Sequence, residues 1–122
     1  MTEIDLTGIQ KIVETATKFL EELKEFAPFG LIFKNGEWID LATYDDSMDS
    51  DKMKSFLIET IVKDFEHETT KFGAVCVNAT IKNVGDVIII YNTSNGKDWY
   101  ELVYKYEIRG NSVDIIMKNV KY

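Results

Sequence analysis

Few residues in this sequence have types and spacing that could do chemistry. Tyr44, Asp45, Asp46, Met48, Asp49 and Asp51 form an acidic stretch with two apolar side chains set into it. Tyr100, Tyr104 and Tyr106 recur at even spacing near the C-terminal end, and His67 and Cys76 are each the sole residue of their kind. Four carboxylates so close together suggest a calcium loop. Counting from Asp45, however, the sixth position is Ser50 where a glycine is needed, and the twelfth is Phe56 where a bidentate Glu is needed. No metal site is expected there. A single Cys and a single His exclude a zinc cluster, and neither a glycine-rich phosphate loop nor a Gly-x-Ser-x-Gly elbow occurs. Cys76 reads as a small buried hydrophobe. His67, between Glu66 and Glu68, reads as a helix-end residue favourable to the dipole. Catalysis would have to rest on carboxylates and tyrosines. An Asp in apolar surroundings, Asp40 or Asp86, would keep its proton and act with a Tyr as oxyanion donor. Surface turns and caps explain both Asp residues, so no catalytic residue and no cofactor is assigned.

The elements that must carry these groups begin with a helix. Ile9, Ile12, Val13, Ala16, Phe19, Leu20, Leu23 and Phe26 recur at the helical period, with charged residues opposite. Thr7 followed by Gln10 has the form of a capping box, and Pro28 requires the helix to end before it. Phe26-Ala27-Pro28-Phe29-Gly30 is then a tight corner, with Phe29 a candidate pocket residue beside the tyrosine row. Asn35-Gly36 between apolar runs signals a hairpin, because a type I′ turn wants positive φ at both central residues. A second helix over about 51–68, capped by Asp49 or Ser50, carries Met53, Phe56, Leu57, Ile61 and Phe65 on one stripe, widened by Ile58 and Val62.

Four strands follow, over Phe72 to Ile81, Val87 to Tyr91, Trp99 to Ile108 and Val113 to Val120. Their connections are too short for parallel crossovers, so they form an antiparallel meander. The expected fold is α+β, two helices packed on a curved antiparallel sheet in the order α-β-β-α-β-β-β-β, as one domain over residues 1–122. Both faces of the first two meander strands are apolar. With two helices on one side, the second side needs the small hairpin, a ligand or a partner subunit, and a homodimer through a sheet face is expected.

Charge limits the partners. The net charge is −7, with 16 acidic and 7 basic side chains in residues 1–70 against 5 and 7 in the remainder. Such a chain repels nucleic acid, whose binding needs clustered Lys and Arg, and attracts a basic protein. No run is long and apolar enough for a membrane span, and the first residues do not form a signal peptide. With one Cys, a cytoplasmic location is expected.

The element order resembles the NTF2-like and cystatin-like α+β folds, in which a curved sheet wraps a long helix. Phe26-Ala27-Pro28-Phe29-Gly30 followed by Asn35-Gly36-Glu37 looks like the corner and turn of a group of small uncharacterised bacterial α+β proteins. That group carries no established activity to transfer. The expected function is a non-catalytic protein-binding module, with an immunity-type protein that neutralises a toxin as one form of it. Its contacts would come from Tyr44, Asp45, Asp46, Met48, Asp49 and Asp51. The alternative is an NTF2-like small-molecule-binding protein, isomerase or hydrolase, with a pocket built from Tyr100, Tyr104, Tyr106 and Phe29.

Overall fold

In a computed structural model the chain is described over residues 1–42 and 47–120. Helix α1 spans Glu3–Leu23. Thr2 caps it: its hydroxyl accepts the Asp5 N–H at 3.2 Å, and the Asp5 carboxylate accepts the Thr2 N–H at 2.9 Å. The helix therefore starts earlier than the expected Thr7–Gln10 box. An Asp at the third helical position reaches back to the capping residue as a Glu or Gln does, so the Thr2–Asp5 pair serves the same purpose. At the other end Lys24 adopts a left-handed conformation, φ 68°, and its N–H closes on the Leu20 carbonyl.

Strands β1 (Phe29–Lys34) and β2 (Glu37–Ala42) form the expected hairpin, with Asn35 and Gly36 at φ 53° and 77°. Helix α2 spans Ser50–Asp64, and β3 (Thr70–Ile81), β4 (Gly85–Thr93), β5 (Tyr100–Arg109) and β6 (Ser112–Met117) follow. The hairpin is not a separate small sheet. β1 pairs antiparallel with β3, Phe29 opposite Cys76, giving one six-stranded sheet in the order β2-β1-β3-β4-β5-β6. The two helices pack on this antiparallel half-barrel. α1 touches both β1 and β6, which lie far apart in the strand order, and only a curled sheet brings both to one helix.

The helices lie on opposite faces, not on one side as expected. Ile12, Ala16 and Leu20 of α1 pack with Phe29, Leu31, Phe72, Ala74, Cys76, Ile88 and Ile90. Leu57 and Ile61 of α2 pack with Ile32 and Val75, whose side chains leave the strands on the other side. β3 and β4 are apolar on both faces, so each face needs a cover, and one helix goes to each. α2 meets a single surface, leaving Phe56 and Val62 exposed. The rest of the second face holds Val87, Ile89 and Val103, and Val120 packs on that cluster. Val120 donates its N–H to the Val103 carbonyl at 2.7 Å, so the last stretch folds back as a cover after β6 ends at Met117. Part of the sheet face that motivated a homodimer is thus covered by Val120 of the same chain.

Glycine allows the closest approaches. A Cβ on Gly73 would collide with Ile61 of α2, and one on Gly8 would collide with the Phe72 ring. Ile61 of α2 thus reaches the β3 backbone, and the Phe72 ring of β3 reaches the backbone of α1.

Candidate functional site

The tyrosine row is divided between the core and the surface. Tyr106 is buried in the α1 face of the core, and its hydroxyl accepts the Asn78 amide at 2.8 Å. Burial, together with the charges of Asp86 and Glu25, raises its pKa despite that hydrogen bond. Tyr104 packs half-buried on the same core, and burial raises its pKa too. Tyr100, 63% exposed, stands at the opposite end of β5. Over β3, β4 and β5 the space between α1 and the sheet is filled by Ile12, Ala16, Leu20, Phe72, Ile88, Ile90 and Tyr106, while a hollow of ≈ 210 Å³ remains between α1 and the β1–β2 hairpin, lined by Ile12, Phe29, Leu31, Trp38 and Asp40 with polar side chains of α1.

The proposed acids are dispersed. Asp40 and Asp86 are both exposed and lie on different strands, Asp40 at the edge of the hollow between α1 and the hairpin. Asp86 accepts the Thr80 hydroxyl at 2.8 Å. Cys76 is fully buried, and burial pushes its thiol far above the ordinary range. His67 is exposed just beyond α2, where its N–H donates to the Asp64 carbonyl. Among the described residues no group of His, Cys, Asp and Glu converges as metal ligands, and no helix is long and apolar enough to cross a membrane.

One end of the molecule gathers features that lie apart in the sequence. Phe29 packs edge-on against Phe19 and Phe26, with centroids 5.4 Å apart in each pair. Beside these rings is an apolar hollow of ≈ 260 Å³, lined by Leu23, Phe26, Ala27, Pro28, Phe29 and Ala42 with Phe19. The corner is packed on its inner side and concave on its outer side. A second depression shares Leu23, Phe26 and Ala27 and extends to Glu25, Ser50 and Asn78. It joins the corner to the start of α2, where Asp49 accepts the Lys52 N–H at 2.9 Å as the cap and Asp51 stands in the first turn. Asp49 and Asp51 are exposed and Met48 is half-buried; Tyr44, Asp45 and Asp46 lie outside the described residues.

Glu25 lines this second depression, and Glu21 and Glu22 stand in the turn of α1 just before Leu23, all three exposed. The sequence reading placed Glu21 and Glu22 on the solvent side of α1 and gave them no role. The signal that marks them is electrostatic. The last turn of α1 has no basic residue, although the negative end of a helix dipole favours cations there. Lys24 lies just beyond, with its ammonium held by the Glu21 and Gly110 carbonyls at 3.3 and 2.9 Å.

Comparison with family models, curated proteins and solved structures finds no match to this chain. The architecture is that of a small α+β protein with a curled antiparallel sheet.

Proposed function

We propose that this protein is a non-catalytic binding module for a basic protein segment, which it takes at the end formed by the Phe26 to Gly30 corner and the start of α2. The observation that carries this reading is the apolar hollow beside the Phe19, Phe26 and Phe29 rings, continued by a depression that Glu25 and Ser50 line, with Asp49 and Asp51 on either side of Ser50 and Glu21 and Glu22 in the preceding turn of α1. Leu23, 62% exposed, stands at its edge. An apolar anchor in a concavity supplies affinity, while rim charges steer the partner and set its sign. The acidic excess of residues 1–70 extends the same field over the helical half. A toxin neutralised by an immunity-type protein is one partner with this chemistry.

Selection of a random peptide library on the immobilised full chain tests the reading. Enriched peptides should combine Lys or Arg with one large apolar residue. A Glu21→Lys, Glu22→Lys, Glu25→Lys variant should bind them at least tenfold more weakly. Enrichment of acidic or purely polar sequences, or undiminished binding by the variant, would remove the basis of the proposal.

A further inference from the structure

The opposite end of the molecule holds a different kind of site. A pocket of ≈ 420 Å³ is lined by Met1, Thr2, Asp5, Asn92, Ser94 and Tyr100, where the start of α1 meets the end of β4 and the start of β5. Asp5 is only 8% exposed, and its Oδ1 is buried without a hydrogen-bond partner. Its other oxygen is occupied by the helix cap, accepting the Thr2 N–H. Asn92, 4% exposed, donates its side-chain amide to the Tyr100 carbonyl at 3.2 Å, which leaves its oxygen as a further acceptor. A buried carboxylate oxygen in native proteins is almost always paired, and a carboxylate can only accept.

We propose that this pocket binds a small organic amine through its ammonium group. The free Asp5 oxygen supplies a charge-assisted acceptor, which favours a cationic donor over a neutral one. Tyr100 adds an aromatic ring at the rim, a surface to which cations are attracted. The volume lies within the range of small-molecule sites and is too small for a folded partner. Asp5 sits four residues before Ile9 on the buried stripe of α1, so the helix that fills the core also fixes this carboxylate at the pocket. The site is separate from the proposed protein-binding end and stands or falls without it.

Titrating the isotopically labelled full chain with benzylamine and with benzyl alcohol, a neutral molecule of similar size, provides the test. Benzylamine should shift the amide signals of residues 2–5, 92–94 and 100, and should bind at least tenfold more tightly than the alcohol. Asp5→Asn, which keeps the capping acceptor but removes the charge, should lose at least tenfold in amine affinity. Ser94→Trp alters an exposed residue away from the cap and should block the pocket while leaving the fold intact. Equal binding of amine and alcohol, signals confined to the Phe26 corner, or no binding at all would overturn the proposal.

Discussion

Cys76 and Asp64 show how burial decides what a reactive side chain does here. Cys76 lies in β3 on the face that α1 covers, with no exposed surface, and its thiol is held protonated by desolvation. An aromatic disulfide reagent should leave it unmodified in the native protein and label it on unfolding; fast labelling of folded protein would contradict its place in the core. Asp64 has the opposite setting. Burial alone would raise its pKa, but hydrogen bonds from Thr70 and Lys34 and the Lys34 charge outweigh that, holding it below the ordinary 3.8. The pair is short, 3.0 Å to Lys34 and 2.7 Å to Thr70, and ties the end of α2 to β1 and β3. Because its pKa is depressed in the folded state, the stabilisation is fully present above the unfolded value and is lost as pH falls through the folded one. Asp64→Asn should therefore lower stability by about 1–3 kcal/mol at pH 7, and the gap from the unsubstituted protein should narrow towards pH 3 in thermal unfolding.

At the scale of elements, the strands, the hairpin turn and both helices were legible because each rests on local chemistry. Alternation gave β3 to β6, and Asn35-Gly36 gave the turn. What was not legible was placement. Sequence periodicity shows that a face is apolar but not what covers it, so the two helices were expected on one side when Gly73 and Gly8 let one approach each face. Gly73→Ala should push Ile61 away and cost about 1–3 kcal/mol, read as a lower urea midpoint with an unchanged slope. The helix start was misread for a similar reason, since Thr2–Asp5 and Thr7–Gln10 have the same spacing and only packing chooses between them. Thr2→Ala should cost about 1 kcal/mol, and Thr7→Ala only a fraction of that; the reverse order would place the start of α1 at Thr7 after all.

At the scale of the molecule, separate signals combine into sites only through folding. The acidic start of α2 and the Phe26 to Gly30 corner were each visible in the sequence, but their adjacency follows from Ala42, Ser50 and Leu23 meeting at one end. Asp5 carried no signal in a sequence whose apolar stripe begins at Ile9, and nothing there placed Asn92 and Tyr100 beside it. Binding at the acidic end should also weaken as ionic strength rises from about 50 to 500 mM, because exposed carboxylates are screened over such distances.

The most direct measurement of the central claim is the footprint of a selected basic peptide on the amide signals of the full chain. The proposed mode of recognition requires shifts concentrated in residues 19–29, 42 and 49–51, and their loss in the Glu21→Lys, Glu22→Lys, Glu25→Lys variant. A footprint on α2 around Phe56 and Val62, or on the edge strands, would contradict it.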